Sequence, residues 1–366
     1  MYIVSQLTHV CKSWRIALIN EPQAWATIFV TQRDRRSFVE MCLERSHTVS
    51  LEVTVDARSY GPAHHTCTCT KPPEDDFFNV LTYNETNPCE RHFAFESLAE
   101  TKHSTRICTL NIVFDDGTFA FDEGLVPLEL EGCRFFELSF PQLTDLKLDD
   151  PSPPDPDFLP ISSLFPPTLR SLHFRGSSGH DQLMDLSNLT SFTFDGNGQE
   201  ISAEGFRTFI LNNRSLEALS LDSIELKGGS NQHPAILPNL KSFNVHYPHD
   251  YSRKNFSTVF RVPALQRLSS LLISIARDPG GTYWFMLCAT GDEIVFTVEC
   301  DVEHIAEAWQ DLTGYAGPTI QHIHLEEPHD PDFYGDESGG VRELFTDFHR
   351  WSYAFLRTSA LAFGMA

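Results

Sequence analysis

Ser215-Leu216-Glu217-Ala218-Leu219-Ser220-Leu221 is the stretch on which the reading of this chain turns. Its apolar residues follow the template apolar-x-x-apolar-x-apolar, and the last two share one face of a strand because side chains alternate along an extended backbone. The template returns at Ile107/Leu110/Ile112, Leu143/Leu146/Leu148, Leu169/Leu172/Phe174, Leu189/Phe192/Phe194, Leu240/Phe243/Val245, Leu268/Leu271/Ile273 and Ile320/Ile323/Leu325. From Leu143 through Leu169, Leu189, Leu216 and Leu240 to Leu268 the steps are 26, 20, 27, 24 and 28 residues. The longer gap from Leu268 to Ile320 leaves room for one more unit, and Ile294, Phe296 and Val298 supply a strand there.

A period of about 20 to 29 residues with one such strand per unit is that of leucine-rich repeats. Asn188-Leu189, Asn239-Leu240 and Ser215-Leu216 introduce strands as in that family, whereas the Asn or Cys that usually follows the strand is mostly missing. The expectation is an α/β fold, a leucine-rich-repeat-like solenoid (horseshoe) spanning 31–366. Asp34 caps a helix carrying Phe38, Val39, Cys42 and Leu43, and Leu51, Val53 and Val55 alternate as a half-buried strand. Ser202 caps a helix with Phe206, Phe209 and Ile210, and Asp301 one with Val302, Ile305, Ala306, Trp309 and Leu312. Pro151 to Pro167 reads as an extended proline-rich loop, 58–96 as an inserted loop, and the apolar stripe Leu344, Phe345, Phe348, Trp351 and Phe355 as a capping helix over 341–357. In such a solenoid the residues between the inward leucines project from the concave face. They are Lys147, Asp149, His173, Arg175, Thr193, Asp195, Ser220, Asp222, Asn244, His246, His324 and Glu326, the expected substrate-binding set.

Ahead of the repeats, residues 4–28 read VSQLTHVCKSWRIALINEPQAWATI. Ile3, Leu7, Val10, Cys11, Trp14, Ala17 and Leu18 recur at steps of three and four, which predicts an amphipathic helix, and Pro22 stops it. Val10-Cys11-Lys12-Ser13-Trp14-Arg15, Ala17-Leu18, and Pro22 followed by Ala24-Trp25-Ala26-Thr27-Ile28 resemble the second half of the F-box of the large fungal (basidiomycete-type) F-box families. The Leu-Pro segment and helix that open the family's motif have no counterpart ahead of Met1, so residues 1–30 read as a partial, N-terminally truncated F-box-like helical segment. The resemblance implies a non-catalytic substrate-recognition adaptor of an SCF-type (cullin-RING) ubiquitin ligase. Leu7, Val10, Cys11, Trp14, Arg15, Pro22 and Trp25 would hold the Skp-type adaptor, while the repeat domain takes a protein substrate.

Fifty acidic residues against 27 basic ones give a formal charge of −23. Phosphate backbones and anionic lipid are recognised by clustered Lys and Arg, so the balance argues against nucleic acid and membrane partners and fits a basic protein partner. No window holds the eighteen or so apolar residues of a membrane span, and nine cysteines without paired spacing read as reduced thiols, which places the chain in cytoplasm or nucleus. No cofactor is expected.

Other constellations read as structure. His64, His65, Cys67, Cys69, Cys89 and His92 are zinc-type ligands, but Cys-x-Cys is tighter than the usual ligand spacing, so the expectation is a loop without metal. Asp149-Asp150 with Asp155 and Asp157, and Glu326-Glu327 with Asp330, Asp332, Asp336 and Glu337, lack the spacing of a calcium loop. No Gly-x-Ser-x-Gly, phosphate loop, Gly-x-Gly-x-x-Gly or His-Glu-x-x-His occurs, so an enzyme is not expected. Two alternatives stay open: a repeat scaffold without a ligase connection, and a carbohydrate-active enzyme on a parallel β-helix, whose coils have a similar period.

Overall fold

Alternation is obeyed strand by strand. Leu146 and Leu148, Leu172 and Phe174, Phe192 and Phe194, Leu219 and Leu221, and Phe243 and Val245 are all buried, while the residues between them are not. The computed structural model describes residues 11–31, 36–56, 96–99, 101–113, 139–149, 165–176, 183–228, 233–247, 256, 259–277, 283–292, 294–301 and 322–326. All but the last residue of the loop expected at 58–96, most of the proline-rich segment, the helix after Asp301, the cap at 341–357 and the Cys/His cluster lie outside the described residues.

Strands β1 (Thr27–Thr31), β2 (Leu51–Asp56), β3 (Ile107–Val113), β4 (Asp145–Asp149), β5 (Ser171–Arg175), β6 (Ser191–Ser202), β7 (Ala218–Lys227), β8 (Ala235–Ile236), β9 (Ser242–Tyr247), β10 (Phe260–Arg261), β11 (Leu268–Arg277), β12 (Tyr283–Gly291), β13 (Val295–Asp301) and β14 (His322–Glu326) account for two sheets. Twelve strands form one sheet in the order β1-β2-β3-β4-β5-β6-β7-β9-β13-β12-β11-β14, and β8 pairs with β10 in a two-residue parallel bridge. From β1 to β9 every neighbour is parallel. The segments ahead of these strands are stitched in one line: Arg170 N–H donates to Thr144 O, Thr190 to Arg170, Glu217 to Thr190, Lys241 to Glu217 and Val295 to Lys241, at 2.7 to 2.8 Å.

This topology overturns the expected horseshoe solenoid with a helical F-box segment in front. After β9 the chain passes to β11, turns back through β12 and β13 as an antiparallel meander, and joins β9 with β13, so sheet order departs from chain order. A solenoid of stacked units would place its strands in chain order, because each unit contacts only its neighbours. Helices are few: among the described residues the α-helices are α1 (Lys12–Ile19), α2 (Arg36–Arg45), α3 (Thr101–Ser104) and α4 (Ala203–Asn212), with short 3₁₀ turns besides. The described part of the first thirty residues does not stand apart from the sheet, since β1 begins at Thr27 and is an edge strand of it. The fold is therefore a large, mostly parallel mixed sheet.

Phenylalanines fill the core under it. Phe192 meets Phe209 of α4 at 4.6 Å between ring centroids, Phe206 meets Phe260 at 6.1 Å, and Phe243 bridges Phe260 at 5.4 Å and Phe296 at 5.0 Å. Ser202 Oγ accepts from Gly205 N–H at 3.3 Å, the cap the sequence predicts for α4, which buries Phe206, Phe209 and Ile210. At its other end Asn213, fully buried, donates through Nδ2 to Leu186 O and Phe209 O, both at 2.8 Å, and accepts Leu189 N–H at 2.9 Å. One side chain thus closes the helix and fixes the approach to β6.

Candidate functional site

Parallel register turns the alternating polar residues of separate strands into tiers that cross the sheet. The tier nearest the strand starts runs Thr27, Glu52, Thr109, Asp145, Ser171, Ser191, Ala218, Ser242, Val295 and is rich in small hydroxyl residues. Two residues further along each strand the second tier runs Phe29, Thr54, Asn111, Lys147, His173, Thr193, Ser220, Asn244, Thr297. The third, at the carboxyl ends, runs Thr31, Asp56, Val113, Asp149, Arg175, Asp195, Asp222, His246, Glu299. Charge is concentrated in this last tier.

The residues expected from the sequence to face a ligand fall on the second and third tiers. Ten of them, from Lys147 to His246, lie on the neighbouring strands β4, β5, β6, β7 and β9. His324 and Glu326 continue the same tiers on β14, but β13, β12 and β11 stand between, so the meander separates them from the rest. Glu299 and Thr297, not among the expected residues, occupy the places beside His246 and Asn244. The alternation of Ile294, Phe296 and Val298 carried enough signal to find them.

Within the third tier the charges are interlocked. Arg175 sets Nε 3.0 Å from Asp195 Oδ2 and Nη1 3.6 Å from Asp149 Oδ1. Asp149 Oδ1 and, on the second tier, Asn111 Oδ1 are shielded from water and accept no hydrogen bond. His246 Nδ1 lies 2.8 Å from Asp222 Oδ1, which also accepts the Ser223 hydroxyl at 2.7 Å. Burial acts to raise the Asp222 pKa, but the hydrogen bonds from His246 and Ser223 outweigh it and bring it below the ordinary carboxylate value. His246 moves up, chiefly through that hydrogen bond, against burial and with help from the Asp222, Glu299 and Asp195 charges. His173 moves down through burial and the neighbouring Lys147 charge, which Asp149 and Asp195 only partly offset. Two histidines with two strands, β6 and β7, between them are therefore biased oppositely.

A second surface lies at α1. Ile16 is 51 % and Ile19 36 % exposed, and Leu18 is half-buried. Trp25 Nε1 donates to Leu18 O at 2.6 Å, with the Arg45 guanidinium 4.4 Å from the tryptophan ring. Of the residues expected to hold the adaptor, Cys11 and Arg15 are exposed and Pro22 is partly so, Trp14 lies within α1, and Leu7 and Val10 fall outside the described residues. Trp25 is 2 % exposed and belongs to the chain's own core. Its indole is already committed to Leu18 and α2.

Among the described residues no group of three His, Cys, Asp or Glu is placed to hold a metal ion, and no helix is long and apolar enough to cross a membrane. Compared with family models and with curated proteins, the chain matches none.

Proposed function

We propose that this chain is a protein-recognition subunit that carries a substrate on the polar face of its sheet and docks through α1 to the Skp-type adaptor of a cullin-RING ubiquitin ligase. The observation that carries the adaptor half is the exposure of Ile16 and Ile19 on a helix tethered by Trp25. Two branched aliphatic side chains presented side by side to water are what an apolar groove on a partner takes up, at about 1.5 kcal/mol or more for each side chain buried. The F-box resemblance of residues 10–28 names the partner. The substrate half rests on the three polar tiers, an extended surface of side chains held by a rigid sheet.

One observation favours a second reading, a scaffold without the ligase. The expected adaptor contact Trp25 is spent on the chain's own core, which leaves a smaller interface. Co-purification decides between them. The intact chain should retain the Skp-type adaptor, and Ile16→Asp with Ile19→Asp should lower that retention by tenfold or more, roughly the loss of one buried aliphatic contact. An intact chain that does not retain the adaptor overturns the ligase reading and leaves the scaffold.

A further inference from the structure

From the charge pattern at the strand ends we infer that the third tier docks an extended, arginine- or lysine-bearing segment of a partner protein, running across β4 to β13. The inference rests on the sheet face being the substrate surface and supplies the chemistry of what it takes.

Four carboxylates, Asp149, Asp195, Asp222 and Glu299, stand in this stretch against two cationic side chains, Arg175 and His246. The surplus is negative, as it is over the whole chain. Arg175 already shows how a cation sits here, between Asp149 and Asp195, yet at 3.6 Å it leaves Asp149 Oδ1 without a hydrogen bond, and Asn111 Oδ1, on the adjoining strand β3 and one tier back, also lacks a donor. Shielded acceptors without donors are costly in the free protein and gain from a guanidinium or ammonium brought by a partner. Geometry suits an extended chain: six strands at about 4.8 Å spacing span about 24 Å, the length of some seven extended residues, whose alternate side chains point the same way. The carboxyl ends of parallel strands are also where open sheets hold their ligands. Acidic segments, nucleic acid and anionic lipid meet the wrong sign.

Arg175 makes the inference testable in a direction that a structural role would not produce. It competes for the same carboxylates, so Arg175→Gln should tighten binding of a basic peptide, and its exposure means the substitution leaves the core untouched. The probe is a fluorescein-labelled peptide of alternating arginine and glycine, about eight residues long, titrated with the purified full chain by fluorescence anisotropy at low salt. A glutamate–glycine peptide is the counterpart. Expected are binding of the arginine peptide only, a two- to fivefold gain in Arg175→Gln, and a loss of the same size in Asp222→Asn, the range for partly exposed charge pairs. Glu217→Gln removes an equal charge from the far side of the register, where Glu217 pairs with Lys241, and should change nothing. The inference fails if Arg175→Gln weakens binding, if Glu217→Gln matches Asp222→Asn, or if the two peptides bind alike. No adaptor is present, so loss of adaptor retention and failure of this titration are separate results.

Discussion

His246 and Asp222 form the pair in which local chemistry gives the clearest pH signature. A histidine whose folded pKa is raised contributes stability that is fully present below its unfolded value, near 6.5, and is lost as pH rises through the folded value. An aspartate whose folded pKa is lowered contributes stability present above about 3.8 and lost as pH falls through its folded value. Both contributions coexist between those limits. His173, biased downward, works against the fold as pH falls below 6.5, but it does so equally in a variant that keeps it. His246→Gln should therefore be less stable than the parent by up to about 1 kcal/mol near pH 5.5, since each partner is about one-third exposed, and the gap should close toward pH 9. Urea titrations at the two pH values measure it, and a gap that is constant or wider on the alkaline side would refute the pairing. Which residues shared the polar face was legible from alternation alone. Which of them paired was not, because Asp222 and His246 lie on different strands, and only register brings their side chains together. Asn213 escaped for a related reason: it joins two segments, the approach to β6 at Leu186 and Leu189 and the end of α4 at Phe209, and no spacing in the sequence marks that meeting.

At the scale of elements the sequence was a good guide to where strands begin and a poor one to how they connect. The helix over Arg36–Arg45, the cap at Ser202 and the strands at Leu110, Leu146, Leu172, Phe192, Leu219 and Phe243 all stand where spacing placed them. What spacing missed is β12. A 52-residue gap read as one extra unit in fact holds two strands, and Asp278-Pro279-Gly280-Gly281 between apolar runs was the turn signal of a reversal. The reversal makes β13 to β9 the junction between the parallel section and the meander, and Phe243 stacked on Phe296 at 5.0 Å crosses it. Phe296→Leu and Phe243→Leu should each cost about 1 to 2 kcal/mol, short of the 3 to 5 kcal/mol of truncation to alanine, because leucine keeps most of the volume. Their double variant should be less destabilised than the sum by about 0.5 to 1.5 kcal/mol, the coupling of a ring pair. Strict additivity in chemical denaturation would mean that the rings are neighbours without being partners, and that the junction is held by backbone pairing alone.

Over the whole molecule two kinds of electrostatics oppose each other, and their sizes decide the sign of the salt response. Attractive pairs are local and mostly exposed: Lys241 with Glu217, Arg207 with Glu204, Lys227 with Glu200, and Arg175 between its aspartates. Exposed pairs of this kind contribute between nothing and about 1 kcal/mol each, and salt weakens them. Repulsion is collective, since 50 acidic side chains against 27 basic ones leave 23 uncompensated negative charges brought closer together by folding. Each of these interacts with many others, and within a Debye length, about 10 Å at 0.1 M salt, the sheet's own tiers already place carboxylates on successive strands. Salt must relieve more repulsion than the attraction it screens. Raising sodium chloride from about 20 to 300 mM should therefore raise the Tm, by roughly 1 to 2 °C for each kcal/mol of repulsion relieved in a chain of this length. Sodium chloride is the right salt because sulfate would stabilise by exclusion whatever the charges did. A Tm that falls over this range, in a scan at pH 7.5, would show that the ion pairs carry more of the fold than their exposure allows, and that the acidic surplus is spread too thinly to act as one field.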